Sequence, residues 1–251
     1  MSGHSKWATI KRKKEATDAK RSNMYAKLLR AVEVAAREGG GNIEANMTLA
    51  SAVEKAKSFS VPNDNIERAI KRAAGELGDG QRYEEIVYEG YAPGGIALLI
   101  EALTDNRNRT AQEVRHAFTR NGGSLGETGT VAWQFTRKGV VVVEKAVAPD
   151  EEHLLELALD GCAEDLTDSE SSWDIVTAPQ DFTTVQAAIE AAGVPIFSAE
   201  LSMLPQSTIP VEGSEATAVL RLIDALEDLD DTDTVHANFD VDAEILERVA
   251  G

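Results

Sequence analysis

The chain has 251 residues, 43% of them hydrophobic, which supplies packed cores and excludes wholesale disorder. Its one cysteine, Cys162, excludes an internal disulfide and a thiolate zinc site and suits a reducing, cytoplasmic setting. The net charge of −18 is uneven: the first thirty residues carry nine Lys or Arg against Glu15 and Asp18, a local +7, so the other 221 hold −25.

The chain opens on Gly3-His4-Ser5-Lys6-Trp7-Ala8-Thr9-Ile10-Lys11-Arg12-Lys13-Lys14 and continues its basic run at Lys20 and Arg21. A basic end on an acidic body seeks a polyanion, nucleic acid above all. Lysine and arginine neutralise phosphates and release counterions, and Trp7 offers a flat face to a base or sugar. The alternative is a solvated tail with Trp7 folded into a helical core. No apolar stretch of signal-peptide length follows, and the longest bulky run, Ile96 to Ile100, stops at Glu101, so no membrane segment is expected.

Up to residue 78 the pattern is helical. Tyr25, Leu28, Leu29, Val32 and Ala36 share one face, Ile43, Met47, Ala50 and Val53 a second, and Ile66, Ala69, Ile70 and Ala73 a third. Gly39-Gly40-Gly41 ends the first helix, and Val61-Pro62 opens the last. On that last helix Arg68, Lys71 and Arg72 lie three to four apart. Either they extend the basic surface or they pair with Glu67 and Glu76 on an ordinary solvated face.

Beyond Gly80 the period changes to two, with strands expected at Ile86–Tyr91, Ile96–Leu103, Val131–Phe135 and Val140–Val143. A helix is expected over Thr110–Arg120, capped by Asn108 or Thr110 and stopped at Gly122-Gly123. Arg107 and Arg109 precede it, where free helix N–H groups bind anions, so contact with phosphate or rRNA is one reading. The other is that Asp105, Asn106 and Asn108 shape the turn while the arginines brace the domain. Gly122–Thr130 lacks the lysine and the following helix of a phosphate loop and reads as a turn.

From Gly139 a β-α-β-β-α-β unit follows: strand Val140–Val143, helix Asp150–Leu159, strands Ala163–Leu166 and Trp173–Thr177, helix Phe182–Ala192, strand Phe197–Leu204. That order is the ferredoxin-like signature. A last helix, Ser214–Leu229, and strand, Val235–Phe239, would be partnerless unless they return to the preceding sheet. The fold class is therefore α+β, a basic helical bundle (1–78) followed by two α+β domains, one discontinuous (81–138 plus 205–251) and one ferredoxin-like (139–204) inserted in it.

No catalytic or metal constellation is present, and no cofactor is expected. His4, His116, His153 and His236 are scattered, Cys162 stands among Asp160, Glu164 and Asp165, and the acidic run Glu227–Asp233 lacks the glycine and closing glutamate of an EF-hand loop.

Several blocks in order resemble the YebC/PmpR family, whose relatives include the mitochondrial translational activator of cytochrome oxidase subunit 1. They are the basic opening, Pro62-Asn63-Asp64-Asn65-Ile66-Glu67-Arg68-Ala69-Ile70-Lys71, Tyr88-Glu89-Gly90-Tyr91-Ala92-Pro93-Gly94-Gly95, Leu103-Thr104-Asp105-Asn106-Arg107-Asn108-Arg109-Thr110, and Gly122-Gly123-Ser124-Leu125-Gly126 followed by Gly129-Thr130-Val131. Thr130 stands where serine is common. The resemblance implies three domains and a non-enzymatic role in gene expression. The implied role is that of a DNA-binding transcriptional regulator or, alternatively, of a ribosome-associated, RNA-binding translation factor assisting elongation at proline-rich stretches. The expected nucleic-acid contacts are Lys6, Trp7, Lys11, Arg12, Lys13, Lys14, Lys20, Arg21, Arg68, Lys71, Arg72, Arg107 and Arg109. The acidic domains suit orientation by repulsion or contact with a basic ribosomal protein.

Overall fold

The computed structural model describes residues 18–75, 82–169, 171–241 and Ile245, with side chains from Ser22 onward. Three helices come first, α1 (Asp18–Gly39), α2 (Met47–Ser58) and α3 (Asn63–Ala73). Leu28, Val32, Ala35 and Ala36 of α1 fall on one face and pack against Leu49, Val53 and Ala56 of α2 and Ile66 and Ala69 of α3. The joint between α1 and α2 is built around Asn46, which is buried. Its side chain accepts from Leu49 N–H at 3.0 Å and donates to Ala35 O and Gly40 O at 2.8 and 2.9 Å. A Cβ at Gly39 would stand 2.5 Å from that amide, so the glycine is required by close approach. This cap sets the phase of α2 and corrects the second expected stripe. Ile43 precedes the helix, Met47 is 70% exposed, and Leu49, Val53 and Ala56 face inward.

β1 (Glu84–Tyr91) and β2 (Ala97–Thr104) form a hairpin in register from Glu84↔Thr104 to Tyr91↔Ala97. Its short 3-10 turn, Pro93–Gly95, places Gly94 and Gly95 at φ of 78° and 75°, open to glycine without strain. α4 (Arg107–Arg120) follows, capped by Asn106, which accepts from Arg109 N–H at 3.1 Å; neither Asn108 nor Thr110 is the cap. β3 (Ser124–Leu125) pairs with the outer edge of β1.

The fourth strand of this sheet comes from the far end of the chain. After β8 (Ile209–Pro210) and α7 (Gly213–Glu227), β9 (Thr232–Ala237) pairs antiparallel with β2, giving the order β3-β1-β2-β9, and β10 (Phe239–Asp240) runs parallel to β8. β2 is buried on both faces, which accounts for its unbroken apolar run. Leu98 and Ile100 share a core with Phe118 of α4 and Leu222 of α7, while Ala97 and Leu99 meet Val131 and Phe135.

Between these elements in sequence lies a second sheet with two helices: β4 (Phe135–Glu144), α5 (Glu151–Asp160), β5 (Ala163–Ser169), β6 (Ser172–Thr177), α6 (Phe182–Ala191) and β7 (Ser198–Pro205). Its order is β5-β6-β4-β7, antiparallel throughout, the ferredoxin-like arrangement. Val141, Val143 and Ile175 of the sheet meet Leu154 of α5 and Val185 and Ile189 of α6 in one core. The fold is α+β, a helical bundle followed by two sheet-containing units, one ferredoxin-like and interrupting the other.

The expected strand Val131–Phe135 is a correction. Residues Ala132–Gln134 form a 3-10 turn, and β4 begins at Phe135 and runs straight through Gly139. That glycine does not break the strand. A Cβ there would lie 2.3 Å from Thr177 Oγ1 and 2.6 Å from the Phe182 ring, so glycine lets β4 and α6 close on each other.

Candidate nucleic-acid interface

Lys6, Trp7, Lys11, Arg12, Lys13 and Lys14 lie outside the described residues; Lys20 and Arg21 are on the first turn of α1, with side chains outside the description. What the structure shows is where α1 is anchored. Its next two cations point inward, at the C-terminal end of α7, where helix carbonyls lack intrahelical partners and the dipole favours positive charge. Lys27 Nζ donates to Glu227 O, and Asn23 Nδ2 to Asp228 O at 3.4 Å. Arg30 Nη1 donates to Leu103 O, Asp230 O and Asp231 Oδ1 at 3.1, 2.9 and 3.2 Å, with its guanidinium 5.0 Å from the centre of the Tyr83 ring.

Asp231, only 1% exposed, is the hub of this joint. Arg109 of α4 reaches it with Nη2 at 2.7 Å and Nε at 3.2 Å from Oδ2, and the hydroxyls of Thr110 and Thr104 stand 2.8 and 3.1 Å from the same oxygen. Burial alone would raise the carboxyl pKa, but hydrogen bonds from Arg109, Thr110 and Thr104 outweigh it and hold it below the ordinary aspartate value. Arg109 in turn is pushed above the ordinary arginine value by Asp231 and by Asp105 at 2.8 Å. One carboxylate thus ties α1, β2 and α4 to the turn before β9.

The other expected contacts are partly engaged. Arg72 pairs with buried Glu33 of α1, Lys71 lies 3.9 Å from Glu67, and Arg107 lies 3.7 Å from Glu84. Arg68 is exposed and has no ion pair among the described residues. The helical bundle also touches the ferredoxin-like unit. Lys55 is 3.6 Å from Glu200 of β7, and Gln186 Nε2 of α6 donates to Glu54 at 2.8 Å. Burial pulls the Lys55 pKa down, yet Glu200, Asp233 and Glu101 together hold it above the ordinary lysine value. Glu101 is itself held low, chiefly by His236, whose Nε2 lies 3.4 Å away.

The glycine-rich loop carries its own anion. Glu89 of β1 is 3% exposed and accepts from the N–H groups of Gly129, Val131 and Ala132 at 2.7, 2.7 and 2.8 Å. Burial raises its pKa, and the three N–H donors outweigh burial to leave it below the ordinary glutamate value. A carboxylate therefore occupies the donors that a phosphate loop would offer. The turn they stabilise presents Trp133, 68% exposed, with its indole N–H donating to Thr130 O at 3.1 Å.

Family models decide the relationship: residues 5–76 match the TACO1/YebC protein N-terminal domain and residues 83–239 the TACO1/YebC second and third domain. The chain belongs to the TACO1/YebC family. Curated relatives carry the name "Probable transcriptional regulatory protein". One from Pelotomaculum thermopropionicum is 55% identical over 243 residues, 96% of this chain and all of the relative. One from Rubrobacter xylanophilus is 54% identical over 251 residues, and one from Thermotoga maritima 50% over 255, each spanning both chains in full. The crystal structure of a conserved hypothetical protein from Aquifex aeolicus matches with a TM-score of 0.80 at 46% identity, covering 90% of this chain and 92% of that one.

In this member of the TACO1/YebC family, the residues that sequence reasoning missed are Asp231 and Glu89. Asp231 was hidden in an acidic run that reads as solvated. Glu89 carried a signal, a carboxylate flanked by Ile86, Val87, Tyr88 and Tyr91 within a strand, with a glycine-rich loop forty residues on. Among the described residues no helix is long and apolar enough to cross a membrane, and no group of three or more His, Cys, Asp or Glu side chains is placed to hold a metal ion.

Proposed function

We propose that this protein is a non-enzymatic, cytoplasmic, nucleic-acid-binding regulator of gene expression, a DNA-binding transcriptional regulator of the YebC/PmpR type. Lys6, Lys11, Arg12, Lys13, Lys14, Lys20 and Arg21 contact phosphates, Trp7 lies against a base or sugar, and Arg68 adds a cation from α3. The observation that carries this reading is charge: +7 in thirty residues on a body of −25. The anchoring of α1 sharpens it. Lys27 and Arg30 are used to hold α1 in place, so the helix that carries Lys20 and Arg21 in its first turn is fixed to the fold. Arg107, Arg109, Lys71 and Arg72 have carboxylate partners and contribute as braces more than as phosphate contacts. The name of the curated relatives, "Probable transcriptional regulatory protein", supports the regulatory part of this reading.

A second reading, a ribosome-associated RNA-binding translation factor acting at proline-rich stretches, is favoured by one observation. Reading base edges in a major groove calls for a helix with several free polar side chains. On α3, the basic helix, Lys71 and Arg72 are paired and only Arg68 stands alone among the described cations. Shape and phosphate contacts to structured RNA need no such helix.

Crosslinking in growing cells, followed by sequencing of all bound nucleic acid, separates the two. The control is a variant with Lys11, Arg12, Lys13 and Lys14 changed to alanine. Discrete promoter DNA lost in the variant supports the transcriptional regulator; enrichment of rRNA around one ribosomal site supports the translation factor. Recovery of neither above the variant's background overturns both.

A further inference from the structure

The charge that defines the ferredoxin-like unit is not evenly answered. On its edge strand β5, Glu164 is paired with Lys138, and Asp168 with Lys145, which also lies 4.7 Å from the centre of the Trp173 ring. Helix α5 receives no such treatment. Glu151, Glu152, Glu156 and Asp160 are all exposed and have no ion pair among the described residues, and residues 139–251 contain just three Lys or Arg, namely Lys145, Arg221 and Arg248. Glu152–Glu156 and Glu156–Asp160 are like-charge neighbours one turn apart, each unfavourable by about 0.2–0.5 kcal/mol. Asp160 also stands in the last turn, which holds no basic residue, so it opposes the helix dipole.

The same face carries the wrong kind of apolar residue for a solvated helix. Leu154 and Ala158 already fill the core, at 0% and 1% exposure, yet Leu155 and Leu159 on the outer side are 40% and 59% exposed. Being four apart, they stand one above the other and make a short apolar ridge among four carboxylates. Nothing within the chain's described residues covers it. Polyanions and anionic lipid surfaces are repelled from such a face. Leucines in a ring of carboxylates complement a helix that offers apolar residues at a spacing of three to four, flanked by cations.

We propose that the outer face of α5 is a docking surface for a lysine- or arginine-rich amphipathic helix of a partner protein. The apolar ridge supplies the contact that water disfavours, and the partner's cations relieve the repulsion along α5 and at its C-terminal end. A face of about three turns buries area at the low end for specific complexes, so the contact is a transient one that falls apart with rising salt. The inference stands independently of which nucleic acid the basic segment binds.

The test places a photocrosslinking amino acid at Leu159 of the full-length protein in growing cells, with exposed Thr183 of α6 as control, and maps the crosslinked partner peptide by mass spectrometry. The expected result is a Lys/Arg-rich, helix-forming segment captured from position 159 and not from 183. Its yield should fall about fivefold or more when Leu155→Ser or the pair Glu152→Gln and Glu156→Gln is added. The Gln pair keeps side-chain size and covers the case in which the serine variant folds poorly. Yield no higher than at Thr183, capture of an acidic or uncharged segment, of nucleic acid or lipid, or of a second copy of this chain, or indifference to the glutamine pair would each overturn the proposal.

Discussion

Asp231→Ala removes the acceptor shared by Arg30, Arg109, Thr104 and Thr110, and its cost is open to estimate from the geometry. Breaking a buried ion pair by deleting one partner costs about 3–5 kcal/mol, because the remaining charge stays buried and unpaired. Asp231 is 1% exposed and the Arg30 side chain 18%, but the Arg109 side chain is 43% exposed and can regain water, so the low end, about 3 kcal/mol, is expected. The loss should be felt first where α1 meets the turn before β9. Amide hydrogen exchange of residues 18–39 should speed up more than that of β4 and β6, whose ladder is remote from the change. Urea unfolding gives the total.

The pH dependence supplies a second handle on the same residue. The folded-state pKa of Asp231 is depressed, so the unfolded chain takes up the proton more readily. The stabilisation is fully present above the unfolded value, near pH 4, and is lost as pH falls through the folded value. The stability gap between the wild-type protein and Asp231→Asn should therefore be widest near neutrality and shrink below about pH 4. A double-mutant cycle with Arg30→Ala should show coupling of about 0.5–3 kcal/mol. A cost below about 0.5 kcal/mol for Asp231→Ala, or a wild-type gap to the asparagine variant that stays constant from pH 7 to pH 3, would refute the hub.

Three further outcomes are expected. Replacing Lys11, Arg12, Lys13 and Lys14 by alanine should lower nucleic-acid affinity for all sequences and flatten the salt slope by about 0.7–0.9 per lost phosphate contact; filter binding from low to high salt checks this, and an unchanged slope removes those residues from the interface. Glu89→Gln turns one oxygen of a carboxylate that accepts from three N–H groups into a donor and should destabilise by about 2 kcal/mol, with faster amide exchange at Gly129, Val131 and Ala132; unaltered exchange there would mean the loop holds itself. Gly139→Ala forces a Cβ against Thr177 and Phe182 and should lower stability by about 1–3 kcal/mol in urea, whereas a neutral result would show that β4 and α6 can part at no cost.

Much of the fold was legible in the chain because its signals are local. The four-residue spacing of Leu28, Val32 and Ala36 and the unbroken valine run Val140 to Val143 report burial that each element carries by itself, and the order β-α-β-β-α-β leaves few arrangements for a small sheet. The errors came where a neighbour overrode the local signal. Gly139 looks like a boundary and sits inside β4, because Phe182 and Thr177 press on it from elsewhere in the chain. Met47 looks like core and is exposed, because Asn46 sets the phase of α2.

The sequence by itself determined the elements, the split of charge between a basic start and an acidic body, and the resemblance to a family. These are written in composition and short-range order, which survive without a fold. Only the tertiary structure decided that two cations of the basic run, Lys27 and Arg30, serve the fold. Lys27 and Arg30 belong to the same basic run as Lys11 to Lys14, and nothing local separates them. What assigns Lys27 and Arg30 to the fold is that Asp231 and the carbonyl end of α7, some two hundred residues away, lie beneath one turn of α1. A charge reports its sign in the sequence, but its partner is set by long-range packing, and the partner decides whether it serves the fold or what the fold binds.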